Sequence, residues 1–169
     1  MEMHRVLKEE ADIAINIMKD TALWLQSKGS QQWSDVLEGT DKHDLKGAVQ
    51  RGDVYFFTVN QKIVGMAAVW NTPTLWDQKL WKVSRQAEKI FYIHRLIVHP
   101  DYRGLNYGTE MLKKIKVYFE SIAVELRLDC ISSNKKLIYF YRNNGFTNKG
   151  SIKISETDEF ELFSQLLNE

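Results

Sequence analysis

The segment Leu96-Ile-Val-His-Pro-Asp-Tyr-Arg-Gly-Leu-Asn-Tyr-Gly108 carries the sharpest chemical signal in this chain. An apolar run stops at His99-Pro100, because proline has no amide hydrogen for a strand ladder. A loop with Gly104 and Gly108 follows and opens directly into a helical pattern. Amides of such a loop and of the first helical turn have no intrahelical partner. They face outward, and the helix dipole adds partial positive charge there. Glycine lets backbone approach phosphate oxygens without an intervening Cβ. The pattern therefore suits an anion, although spacing alone reads equally as an ordinary strand–turn–helix. It is neither a Walker A loop, since no Gly-Lys-Ser/Thr follows, nor a dinucleotide fingerprint, since Gly-x-Gly-x-x-Gly is absent.

Other residues with chemical capacity lie nearby. His94 sits at the centre of the same apolar run and is the residue there that titrates near neutrality. Strand alternation places it on the face of Leu96 and Val98; the competing reading is a buried, hydrogen-bonded histidine, or one facing a helix. Cys130 ends an apolar strand pattern and reads as a small core hydrophobe rather than a nucleophile. His99 reads as a turn residue, and His4 and His43 as surface.

The elements that must position these residues follow from periodicity. Met3–Leu7 reads as a first strand. A helix starts near Asp12, its cap, and stops at Gly29; Ile13, Ile17, Thr21 and Leu25 form its stripe, flanked by Ala14, Met18 and Ala22. Ser30–Thr40 reads as loop, and Asp41 as the cap of a helix running to Arg51. Val54–Val59 and Ile63–Trp70 form an antiparallel hairpin. Asn71–Arg85 is a loop with a short helix. Ile90–Val98 is a strand and Asp101–Tyr107 a loop. A helix from about Gly108 shows Met111, Ile115, Tyr118 and Ile122 on one stripe, with Leu112 and Phe119 beside it. Val124–Cys130 is a strand, Lys135–Asn143 a helix stopped by Gly145, and Phe146–Ile154 and Phe160–Leu166 are late strands. This order implies one α/β domain over residues 1–169, with a mixed, mostly antiparallel sheet and helices on both faces.

The loop Arg103-Gly104-Leu105-Asn106-Tyr107-Gly108, preceded by Arg95-Leu96-Ile97-Val98-His99-Pro100, resembles the acyl-CoA pyrophosphate loop of the GNAT superfamily of N-acetyltransferases. That pattern is Gln/Arg-x-x-Gly-x-Gly/Ala. Asn106 stands where its middle glycine is usual, and asparagine tolerates left-handed backbone better than most residues. Leu126–Cys130, Asn134 and Phe140-Tyr141-Arg142-Asn143-Asn144-Gly145-Phe146 resemble the family's strand–Asn–helix segment.

The resemblance implies acetyl-CoA as acyl donor, no metal, and direct attack by a primary amine in a ternary complex. It implies that Leu96, Ile97 and Val98 pair their backbone with the pantetheine arm, that the Leu96 N–H polarises the acetyl carbonyl, and that Arg103, Gly104, Leu105, Asn106, Tyr107, Gly108 and Thr109 hold the pyrophosphate. Asn134 would bond the arm or cap the helix. Tyr141 would protonate the CoA thiolate, with Tyr139 as the fallback; the two lie about 200° apart around a helix, so both cannot face the same atom. The base is His94 or a water chain. The acceptor is a small amine such as an amino acid, polyamine or aminoglycoside, with a protein N-terminus or lysine as the alternative; a non-catalytic acyl-CoA sensor is the rival class. Trp24-Leu25 through Gln32-Trp33 resembles a stretch that some members place near the acceptor. Trp33, Trp76 and Trp81 fall in expected loops and either wall that site or pack in the core.

Composition agrees. The 169 residues carry 23 Lys plus Arg and 22 Asp plus Glu, a net charge of +1, which argues against a nucleic-acid partner that needs a basic field. No apolar run approaches the ~20 residues of a membrane span. The N-terminus lacks a signal-peptide stretch, and one cysteine excludes an internal disulfide. The expectation is a cytoplasmic protein, monomer or homodimer.

Overall fold

The computed structural model describes residues 1–83 and 89–167. Seven strands form a mixed sheet in the order β1-β2-β3-β4-β5-β7-β6. They are β1 Glu2–Arg5, β2 Val54–Val59, β3 Lys62–Trp70, β4 Ile90–Val98, β5 Glu125–Ile131, β6 Thr147–Lys153 and β7 Glu159–Leu166. The helices are α1 Ala11–Ser27, α2 Ser34–Leu37, α3 Leu45–Arg51, α4 Leu75–Trp81, α5 Tyr107–Phe119 and α6 Lys135–Asn143. Among the described residues no helix is long and apolar enough to cross a membrane. The end of the expected Asn71–Arg85 loop lies outside the described residues.

The chain divides into two compact units. The first holds Met1–Val69 and His94–Ile115. In it β1 pairs antiparallel with β2, and β2 with β3. Asn60 and Gln61, both at positive φ, make the two-residue hairpin turn whose twist matches the flanking strands. Val54–Phe57 are buried without alternation, so β2 is covered on both faces. α1 buries Ala11, Ala14, Ile17, Met18, Thr21 and Ala22, while Ile13 is exposed. The buried stripe is thus rotated towards the alanines, whose small side chains allow close packing. Gly65 in β3 is required by contact: a Cβ there would lie 2.3 Å from the Ile97 carbonyl oxygen and 2.8 Å from Met111 Sδ.

The second unit holds Trp70–Ile93 and Lys116–Glu169. β4 pairs in parallel with β5 over Ile90–Tyr92 and Glu125–Arg127, and β5–β7 and β6–β7 are antiparallel. β5 alternates, burying Leu126, Leu128 and Cys130. Tyr118 and Ile122, expected on the α5 stripe, are exposed; Ile122 lies beyond the helix, which ends at Phe119.

Candidate active site

The segment singled out for anion binding has the expected backbone. His99 accepts the Asp101 N–H at 3.3 Å through Nδ1 and closes a 3-10 turn over Pro100–Tyr102. Gly104 at φ 82 and Asn106 at φ 60 then turn the chain into α5, which begins at Tyr107, one residue earlier than expected. A Cβ on Gly104 would meet nothing within 4 Å, so its torsion, not crowding, calls for glycine. Asn106 adopts the left-handed torsion that its place in the motif requires. The first i→i−4 bond of the helix runs from Glu110 N to the Asn106 carbonyl at 3.5 Å. The amides of Tyr107, Gly108 and Thr109 precede it and stand as the orphan donors of the first turn. Gly104, Leu105 and Asn106 beside them are exposed. Together these groups can hold an anion.

The Arg103 side chain returns to α1. Its guanidinium lies 3.6 Å from the centroid of the Trp24 ring, and Lys28 Nζ lies 5.9 Å from the same centroid. Burial lowers the Arg103 pKa, but a guanidinium keeps its charge at any physiological pH. Stacking occupies a face of the guanidinium and leaves its in-plane N–H edges available.

The centre of β4 departs from a regular strand. Arg95 has φ 48, and among the described residues it is the one non-glycine at positive φ inside a strand. The two-residue period therefore does not carry through it. Tyr92, Ile93, His94 and Arg95 are buried in succession. Consequently the placement of His94 on the face of Leu96 by alternation does not hold. His94 stacks on His43, with centroids 4.4 Å apart and planes tilted by 37°. His43, expected at the surface, is only 8% exposed. Burial, reinforced by His94, Arg95 and Lys42, pushes its pKa far below the usual imidazole value, so it is neutral.

Arg95 is held on three sides. Its Nη2 donates to Asp41 Oδ1 at 2.8 Å and lies 3.5 Å from Asp35 Oδ2. Its guanidinium sits 4.8 Å from the Trp33 ring centroid. Asp41 also accepts the His43 amide at 3.1 Å and the Leu45 amide at 2.7 Å. Burial alone would raise its pKa, but the Leu45 amide and Arg95 overcome that and hold it below the usual carboxylate value. Asp41 is therefore not the helix cap expected of it. Asp44 caps α3 instead, accepting the Gly47 amide at 3.1 Å. Sequence reading missed Asp35, Asp41 and the role of Arg95, although a charged residue inside the apolar run Ile90–Val98 is itself a signal.

The second unit carries the other candidates. Asn134 caps α6, its Oδ1 accepting the Leu137 amide at 3.1 Å. Tyr141 is 6% exposed, with its ring centroid 5.4, 6.1 and 5.6 Å from those of Phe140, Phe146 and Phe163. Burial, then Cys130 and Asp129, raise its pKa well above the ordinary phenol value. Its hydroxyl therefore stays protonated across the physiological pH range. Tyr139 is 68% exposed, as the helical angle between them demands. Cys130 is buried, and burial pushes its thiol up to about 12, so it holds little thiolate. Trp76 donates to the Asp129 carboxylate at 3.3 and 3.4 Å and meets Phe160 edge-on. Arg127 lies 4.5 Å over Trp81.

Comparison with known proteins places these residues in one family. Residues 18–146 match the model of the acetyltransferase (GNAT) family. The chain is 32% identical over 145 residues to the uncharacterized N-acetyltransferase YesJ of Bacillus subtilis strain 168, covering 85% of this chain and 79% of that one. A GNAT-family acetyltransferase of Listeria monocytogenes superposes with a TM-score of 0.80 at 30% identity, over 98% of this chain and 94% of that one. The yncA protein of Salmonella typhimurium, solved with its cofactor acetyl-CoA, shares the fold at a TM-score of 0.70 and 15% identity, over 100% and 95% of the two chains. The matched span runs from α1 through the β4–α5 loop to the Tyr141 helix, and the chain belongs to the GNAT family of acetyltransferases.

Proposed function

We propose that this acyltransferase moves an acetyl group from acetyl-CoA to a primary amine of a small molecule. The observation that carries the reading is the loop of left-handed Gly104 and Asn106 that delivers three orphan amides at the start of α5. Acetyl-CoA supplies an activated thioester; the rest falls to the chain. The amides of Gly104 to Thr109 and the Arg103 guanidinium hold the pyrophosphate. The backbone of Leu96, Ile97 and Val98 carries the pantetheine arm as an added strand does, and Asn134 bonds the arm or a water beside it. The Leu96 N–H donates to the acetyl carbonyl, a contribution worth a few kcal/mol where water is excluded. As the amine nitrogen bonds to the acetyl carbon and the C–S bond breaks, the amine proton leaves to His94 or water. Tyr141 gives its phenolic proton to the departing thiolate.

Two measurements test this. Calorimetry with acetyl-CoA should show Gly108→Asp, which sets a carboxylate against the phosphates, at least tenfold weaker in a folded variant. Thiol release should follow addition of a member of a panel of amino acids, polyamines and aminoglycosides. Release with peptide N-termini or lysines alone would move the acceptor to proteins. Binding without release under any acceptor would make the protein an acyl-CoA sensor.

A further inference from the structure

Arg95 presents an unusual combination inside β4. A left-handed torsion is costly for a side chain that gains nothing from it locally, unlike asparagine or aspartate. Such a torsion persists only where surrounding contacts over-determine it. Those contacts are the Asp41 carboxylate at 2.8 Å, Asp35 at 3.5 Å and the Trp33 face at 4.8 Å, around a side chain only 2% exposed. The anchor is itself immobilised, because Asp41 also takes the His43 and Leu45 amides. A buried ion pair is poor evidence of added stability, since an apolar pair of like volume often serves as well or better. Its better-attested use is to select one conformation. The torsions of Arg95 set the direction of the next peptide plane, and that plane carries the Leu96 N–H.

We infer that the Asp41–Arg95 ion pair, backed by Asp35 and Trp33, is a positioning device that holds the β4 irregularity and so aims the Leu96 N–H at the acetyl carbonyl. The inference rests on the reading of Leu96 given above. Arg95 touches neither reacting atom; it acts through the peptide that follows it.

The test reads the carbonyl directly. Acetyl-CoA labelled with carbon-13 at the thioester carbonyl is bound to the wild type and to Asp41→Asn, Arg95→Met and Arg95→Lys, and the carbonyl stretch is recorded by difference infrared spectroscopy. The wild type should lower the stretch relative to free acetyl-CoA, as a strong N–H donor does. Asp41→Asn and Arg95→Met should return it towards the free value, and Arg95→Lys should recover part of the shift. With an accepted amine, kcat should fall at least tenfold in the first two, while acetyl-CoA affinity changes less than threefold. Folded variants that keep the wild-type frequency and kcat overturn the inference. So does a loss of acetyl-CoA affinity that matches the loss of kcat, which would mark a general structural role. If Asp41→Asn does not fold, Asp35→Asn at the partly exposed rim should shift the stretch in the same direction by less, and no shift there also overturns it. A lowered stretch in a wild type that acetylates no amine defeats the proposed function alone. An unshifted stretch in an active wild type defeats this inference together with the role given to the Leu96 N–H, and leaves the acetyl transfer itself standing.

Discussion

Replacing Tyr141 with phenylalanine removes one hydroxyl and leaves the ring among Phe140, Phe146 and Phe163. Packing is retained, so the loss of folding free energy should stay at about 1 kcal/mol, the usual worth of one hydroxyl's hydrogen bond. The loss of activity should be larger. A positioned general acid contributes at least ~10²-fold, or about 2.7 kcal/mol of barrier. Acetyl-CoA affinity should persist, because the phenol acts only as the thiolate leaves. The raised phenol pKa adds two expectations. First, kcat of the wild type should show no basic limb from this group up to pH 10, since the donor stays protonated. Second, the unfolded chain ionises its tyrosines near pH 10 whereas folded Tyr141 does not. Above that pH the folded state binds one more proton, so stability falls as pH rises, by about 1.4 kcal/mol per unit. Tyr92 and Cys130, also raised, add to the same slope in both proteins, so the difference between wild type and Tyr141→Phe isolates Tyr141. The assays are thiol release across pH 6–10, calorimetry with acetyl-CoA, and urea unfolding between pH 8 and 11. Near-normal kcat in Tyr141→Phe on a good acceptor refutes the acid role. So does an equal loss in Tyr139→Phe, whose ring lies in solvent.

Two further outcomes concern the first unit. Gly65→Ala pushes a Cβ into the Ile97 carbonyl oxygen at 2.3 Å and Met111 Sδ at 2.8 Å, so it should cost about 1–3 kcal/mol by overpacking; an unchanged thermal midpoint would show that the strands part without cost. His43 is kept neutral by burial while its unfolded counterpart takes up a proton below about pH 6.5, so stability should fall as pH drops through that value, with a slope near 1.4 kcal/mol per unit. Urea unfolding at pH 7, 6 and 5 should show a shallower decline in His43→Leu, and parallel declines would refute the argument.

Much of the fold was legible along the chain because its signals are local. The α6 boundaries Lys135–Asn143 follow from an asparagine cap and a glycine stop, and β4 from an apolar run ended by proline. The opposite placement of Tyr139 and Tyr141 follows from helical angle alone. Asn106 was readable too, since a motif position that needs φ above zero accepts asparagine.

Other features were decided by partners distant in sequence. Asp41 looks like a cap by its place before a helical run, yet Arg95, 54 residues later, claims one of its oxygens, and Asp44 caps the helix instead. His43 looks like surface because its neighbours Lys42 and Asp44 are charged, but the His94 ring covers it. The α1 stripe turned towards its alanines because the packing partner, not the hydropathy period, sets which face is buried. Alternation along β4 failed at Arg95 because one left-handed residue ends the two-residue period, and what holds that torsion is an ion pair across the fold. Sequence by itself determined most of the elements, the glycine-bearing turn into α5 and the family, each from motifs whose residues lie within a few positions of one another. Tertiary structure decided which charges are paired, which rings are buried and where the strand breaks its pattern, because those depend on desolvation and contact between segments that the chain brings together only on folding.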